Sequence, residues 1–111
     1  MKAGLSTHVL DTSRGLPAAG VPVTLFKTEG KELQAVGAGV TDGDGRIGNL
    51  LGEGADLQPG WYRLVFDLAP YFGSGAHFFT RVTLDLAVAE ARHHHVPLLV
   101  SPYGCSSYRG S

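Results

Sequence analysis

Trp61-Tyr62-Arg63-Leu64-Val65-Phe66-Asp67 alternates in character, with Tyr62, Leu64 and Phe66 on one side and Trp61, Arg63, Val65 and Asp67 on the other. Successive side chains of an extended chain point to opposite faces, so this period of two predicts a strand with one face on a core. The period recurs in both directions. Upstream, Val21, Val23 and Leu25 oppose Pro22, Thr24 and Phe26; downstream, Val82, Leu84, Leu86 and Val88 line one face of residues 78–88. Pro22 donates no ladder hydrogen bond, which places it at a strand start or on an edge. Further strands are predicted at 5–11, 33–40, 92–100 and from the turn at 101–104 to Ser111, with a short extended piece at 46–50.

Turn-forming residues separate these runs: Thr12-Ser13-Arg14-Gly15, 17–20, Glu29-Gly30-Lys31, Asp42-Gly43-Asp44-Gly45, 52–60 and Ser101-Pro102-Tyr103-Gly104. Residues 68–71 allow one helical turn, kept short by Pro70 and Gly73. Gly37 and Gly39 inside a predicted strand mark a bulge or a close backbone approach. Seven or eight short strands with almost no helix predict an all-β fold, an antiparallel β-sandwich in a single domain over residues 1–111.

Composition excludes several classes of function. A formal net charge of −1 leaves no basic footprint for nucleic acid or an anionic membrane. No apolar run approaches the roughly 20 residues that span a bilayer. Cys105 is the single cysteine, so an intrachain disulfide is impossible, as suits a reducing compartment. Met1-Lys2-Ala3-Gly4 lacks the apolar segment of a secretory signal. A cytoplasmic protein is expected.

The five histidines carry most of the chemical information. His93 and His95 share one strand face and His94 points to the other; i and i+2 side chains lie roughly 7 Å apart, close enough to serve one pocket. His8 sits in the first strand beside Ser6, Thr7 and Asp11, whereas His77 reads as an exposed loop residue. A His-x-His pair with a third histidine fits an open zinc site. The same pair without metal fits general acid–base work near neutral pH. Spacing leaves both open. Asp42-Gly43-Asp44-Gly45 resembles the start of a calcium loop, but Arg46 and Ile47 then occupy a ligand and the glycine position, so it reads as a tight turn that holds Arg46 at a strand edge. A guanidinium there can grip a planar oxyanion or imide. Trp61, Tyr62, Phe66, Tyr71, Phe72, Phe78 and Phe79 read as core.

Three blocks of the chain are similar to the 5-hydroxyisourate hydrolases of the transthyretin-like family. They are Leu5-Ser6-Thr7-His8-Val9-Leu10-Asp11 with the Pro17–Val23 segment, Thr41-Asp42-Gly43-Asp44-Gly45-Arg46, and His93-His94-His95-Val96-Pro97 through Gly104, closing with Tyr108-Arg109-Gly110-Ser111. The terminal tetrapeptide separates the hydrolases from their hormone-carrying relatives. Cys105 replaces a usual tyrosine, Thr80-Arg81 a common Pro-Glu pair, and His94 a usual aromatic.

The resemblance implies two four-stranded sheets with one short helix, and a homotetramer with active sites at the dimer–dimer interface. It also implies hydrolysis of 5-hydroxyisourate to the hydroxy-carboxy-ureidoimidazoline, with no metal and no cofactor. Carried over by position, His8, Arg46, His95 and Ser111 are the catalytic residues. His8, Arg46 and Tyr108 bind the substrate, and Ser111 contacts a catalytic histidine at a strand end that stops there. A transthyretin-type carrier of an apolar ligand is the alternative in another class, which the polar His8, Arg46, His95 and Tyr108 argue against.

Overall fold

Leucine, valine and phenylalanine at every second position build the inner faces of two sheets in the computed structural model, which describes residues 3–111. Met1 and Lys2, half of the segment read for a secretory signal, lie outside the described residues. The strands are β1 (Leu5–Asp11), β2 (Leu16–Pro17), β3 (Pro22–Glu29), β4 (Glu32–Val40), β5 (Arg46–Ile47), β6 (Gly60–Asp67), β7 (Arg81–Val88), β8 (His94–Ser101) and β9 (Gly104–Ser107), with helix α1 at Ala69–Phe72. One sheet has the order β2-β1-β8-β9 and the other β4-β3-β6-β7. β5 also pairs with β1, so two two-residue strands lie end to end along the edge of β1 that β8 leaves free.

The predicted sandwich is present, and most of its pairings are antiparallel. β1 and β8 are the exception, running parallel from Leu5↔His94 to Asp11↔Val100. Strands this far apart in sequence are not joined by a hairpin, so nothing in the chain forces them to run in opposite directions.

Between the sheets, Leu5, Val9, Leu25, Leu64, Phe66, Leu98 and Val100 are fully buried. Each such side chain contributes roughly 1.5–3 kcal/mol relative to exposure. The aromatic residues divide. Tyr62 and Phe66 are core, Tyr71, Phe72 and Phe79 pack partly against it, but Trp61 and Phe78 are 67% and 73% exposed. Trp61 follows the outward parity of its own strand, and Phe78 lies in the loop before β7, which starts at Arg81. His77 is half-buried, stacked on Phe72 at 5.0 Å and sharing a 2.8 Å hydrogen bond between Nδ1 and the Gly75 carbonyl, so it is less open than its loop suggested.

The β3–β4 register shifts between Leu25 and Phe26, whose partners are Gly37 and Ala35, leaving Val36 as the bulged residue. Gly37 bridges Leu51, and a side chain there would run into the Leu50 carbonyl. The close approach that the glycine predicted is therefore real.

Asp11 ties α1 to β1. Tyr71 donates to its Oδ2 at 2.7 Å, and the Ser13 hydroxyl and the Ser13 and Arg14 N–H groups donate to Oδ1. Burial pushes this carboxyl up, but the four hydrogen bonds outweigh it and leave it below the ordinary aspartate value of 3.8. A depressed folded value means that the stabilisation is present above about pH 4 and is lost as pH falls through the folded value. Tyr71→Phe is expected to destabilise the fold by about 1.5–3 kcal/mol at neutral pH, since a hydrogen bond to a charged group is lost. Denaturant unfolding at pH 7 and pH 3 checks both statements, because the difference between wild type and variant should shrink in acid.

Candidate active site

The parity that buries Leu5, Thr7 and Val9 turns Ser6 and His8 to the outer face of the first sheet. Thr7 fixes that orientation by donating to the Val96 carbonyl at 2.6 Å. Across the parallel ladder Ser6 stands opposite His95, and across the antiparallel ladder His8 stands opposite Arg46. Directly opposed residues lie about 4.5–5.5 Å apart, so His8, Arg46 and His95 fall within one small area. Three residues distant in sequence converge there.

Arg46 is held from behind. Gly45 turns the chain at φ +74° and accepts the Val9 N–H at 2.7 Å, while a side chain at Gly45 would collide with the Val9 carbonyl. Asp42 Oδ1 accepts the N–H groups of Asp44 (2.9 Å) and Arg46 (3.0 Å). Chiefly the Arg46 N–H, then that of Asp44 and the positive charges of Arg46 and His8, hold the Asp42 carboxyl below its usual range. The Asp-Gly turn thus aims Arg46, as the sequence implied, and the structure adds that the Asp42 carboxylate is the group that holds it.

His95 is half-buried, and its Nδ1 shares a 2.7 Å hydrogen bond with Ser6 Oγ. His93 Nε2 meets the same oxygen at 2.8 Å. His94 is buried on the opposite face, its Nδ1 against the Arg92 carbonyl at 2.7 Å, as alternation required. Burial, followed by the positive charges of His8, His93 and Arg46, pushes the His95 imidazole below the ordinary histidine value of 6.5. A neutral imidazole at pH 7 can accept a proton. Among the described residues no three His, Cys, Asp or Glu side chains are grouped to hold a metal ion.

The C-terminal segment reaches this area through a gap. β9 pairs with β8 from Ser101↔Gly104 to Leu98↔Ser107, and the same register resumes at His95↔Gly110, where the Gly110 N–H donates to the His95 carbonyl at 2.8 Å. Pro97, between these points, has no N–H to give, and its carbonyl is taken by the Ser107 hydroxyl at 2.8 Å. Tyr108 and Arg109 therefore leave the ladder, and Tyr108, 61% exposed, lines with Arg109 a groove against β7 that also holds His94 and Val96. The final strand expected to reach Ser111 is interrupted there. Gly110 touches His95: a Cβ at Gly110 would lie 2.8 Å from His95 Cδ2 and 3.2 Å from its Cβ. Ser111, next along the chain, is exposed.

Gly110→Ala is accordingly expected to push the imidazole or the tail aside, since neither contact atom can retreat freely. A misplacement on the order of 1 Å costs about 10²-fold in rate. Unfolding midpoints should barely move, because Gly110 lies outside the buried core. Turnover and thermal unfolding measured on one preparation separate the two effects.

Residues 5–110 match the HIUase/Transthyretin family. The chain belongs to this family. Among relatives, it is 45% identical to a 5-hydroxyisourate hydrolase of Caulobacter vibrioides, over 98% of this chain and 99% of that one. It is 40% identical to a 5-hydroxyisourate hydrolase of Pseudomonas aeruginosa, over 96% of this chain and 90% of that one. Among solved structures, Klebsiella pneumoniae 5-hydroxyisourate hydrolase aligns with a TM-score of 0.81 and 38% identity, covering 98% and 94% of the two chains. Sparus aurata transthyretin aligns at 0.87 with 25% identity, covering 98% and 97%. The HIUase/transthyretin fold is thus shared by enzymes and by transthyretins, and the site has to decide between them.

Proposed function

We infer that residues 1–111 form a single hydrolase domain that converts 5-hydroxyisourate to 2-oxo-4-hydroxy-4-carboxy-5-ureidoimidazoline in urate breakdown. The observation that carries this reading is the meeting of His8, Arg46 and a neutral His95 on one sheet face. The relatives named for this hydrolysis, at 40–45% identity over almost their whole length, support it. A face so polar suits a carrier of apolar ligands poorly.

In the proposed mechanism the substrate's ring amide lies between the histidines, with Arg46 on its oxygen-rich rim and Tyr108 at the border. His95 Nε2 takes a proton from water as the water oxygen bonds to the ring carbonyl carbon. The carbonyl electron pair moves onto oxygen, where Arg46 stabilises it. Collapse of that intermediate breaks the carbon–nitrogen bond, and in this reading a protonated His8 gives the departing nitrogen its proton and regains one from solvent. Ser111, one residue beyond the tail's contact with His95, is assigned to steady that imidazole. The chemistry asks for neither metal nor organic cofactor.

We propose a homotetramer with the sites at the interface between dimers, as the resemblance to the 5-hydroxyisourate hydrolases implies. β7 and β9 support it: they are edge strands on the same side of the sandwich, flanking a groove of about 410 Å³ lined by Leu84, Leu86, His94, Val96 and Arg109. We place the reaction in the cytoplasm, which a single exposed Cys105 suits.

The test is the loss of freshly generated 5-hydroxyisourate, followed by ultraviolet absorbance. The chain should accelerate it catalytically. A rate equal to the spontaneous one, together with tight binding of an iodinated aromatic hormone, would replace the enzyme with a carrier.

A further inference from the structure

We propose that Ser6 and His93 form a proton exit from the active site, relaying to solvent the proton that His95 takes from water. The proposal deepens the hydrolase reading and rests on it. Its basis is one oxygen with two imidazole partners: Ser6 Oγ lies 2.7 Å from His95 Nδ1 and 2.8 Å from His93 Nε2. His93 is exposed, outside the strand that begins at His94, whereas His95 is half-buried. The line of three groups therefore runs from the site to bulk water.

A hydroxyl has one proton to donate, so the two histidines cannot choose their tautomers independently. When His95 keeps its proton on Nδ1, it donates to Ser6, Ser6 donates to His93 Nε2, and His95 Nε2 is left with a lone pair for water. This is the state that acts as a base. Once Nε2 has taken a proton, the Nδ1 proton of His95 moves to Ser6 Oγ as the Ser6 hydroxyl proton moves to His93 Nε2. Ser6 ends as the neutral hydroxyl it was. The positive charge has passed from His95, which faces His8 and Arg46, to His93, whose proton goes to water.

The reverse coupling is an acid switch. With His93 protonated in advance, its Nε2–H must donate to Ser6, and Ser6 must donate to His95 Nδ1. The proton of neutral His95 then sits on Nε2, and the base is off before His95 itself is charged. The groups facing His95 are Ser6 and His8 of β1, Arg46 of β5, His93, and Gly110 of the tail; Arg92 adjoins His93, and Asp42 lies near His8 and Arg46. The positive charges of His8 and Arg46 favour moving the proton outward from His95 onto a neutral His93.

Ser6→Ala and His93→Ala should each lower kcat about tenfold, less than the ~10²–10⁴-fold of a general acid or base itself. The double variant should be no slower than Ser6→Ala, Ser6→Thr should stay near wild type, and imidazole in the buffer should restore His93→Ala. The acid limb of the kcat profile should be steeper for wild type than for His93→Ala. Wild-type kcat in both single variants, losses that multiply in the double variant, or Ser6→Thr as slow as Ser6→Ala would overturn the relay. A second readout needs no turnover: nitrogen-resolved NMR of the wild-type protein should show the neutral His95 proton moving from Nδ1 to Nε2 as His93 becomes protonated. An unchanged His95 tautomer overturns the relay even if the protein hydrolyses 5-hydroxyisourate. A wild-type chain that leaves the substrate's decay unaltered counts against the hydrolase reading, with the NMR result still deciding the switch.

Discussion

His95→Ala is expected to lower turnover of 5-hydroxyisourate by about 10²–10⁴-fold, the range for loss of a general base, while the fold survives. The side chain lies on the outer face of its sheet, and its strand is anchored by Val96, Leu98 and Val100, which remain buried. Unfolding should therefore change little while kcat collapses. The pH dependence gives a second handle. His95 is held below 6.5, first by burial and then by the charges of His8, His93 and Arg46. A base must be unprotonated to work, so the part of the wild-type acid limb that reports His95 itself should lie on the acid side of an ordinary histidine, beside the part that the Ser6–His93 relay adds. An alanine variant should lose that acid limb along with the rate. Wild-type turnover in the variant would mean that the base lies elsewhere.

Arg46→Ala is expected to cost about 10²–10³-fold in kcat, as does removal of one well-aimed oxyanion donor. The guanidinium is exposed, and the Asp42 turn and the ladder to His8 hold the backbone beneath it. A second consequence follows from charge. Arg46 is one of the cations that depress His95, so its removal should move the acid limb of the residual activity upward, toward the ordinary histidine value. Arg46→Lys keeps the charge but not the planar fork. It should leave the acid limb in place and recover only part of the rate. If alanine and lysine variants were equally slow with identical pH profiles, the charge argument would be wrong.

Much of this arrangement was legible in the sequence, for stated reasons. Alternation placed β1, β3, β6 and β7 because each buries one face, and a period of two survives any topology. It also turned His94 inward and left His93 and His95 outward. What alternation does not encode is which strand neighbours which. The parallel pairing of β1 with β8 brings Ser6 to His95, yet the two are separated by most of the chain. Without it, Ser6 is only a small polar residue two before His8. Pro97 offered a local signal: a residue without an N–H interrupts a ladder, so Tyr108 and Arg109 had to leave it. Trp61 and Phe78 misled for the opposite reason, since large aromatic side chains suggest burial while parity and a loop position exposed them. His8 and Arg46 face each other across the ladder, but their roles, like that of Tyr108, came from resemblance, and the Arg46 variants test one of them.

If side chains alone perform this hydrolysis, removing every bound metal ion must leave its rate unchanged, and one measurement addresses that most directly. The protein is treated with a strong chelator, the chelator is removed, and the decay of freshly generated 5-hydroxyisourate is followed at catalytic protein concentration. The predicted rate equals that of untreated protein, with many substrate molecules consumed per chain and no gain on adding zinc. A rate reduced to the spontaneous decay, and restored by zinc, would contradict it and make the histidine cluster a metal site.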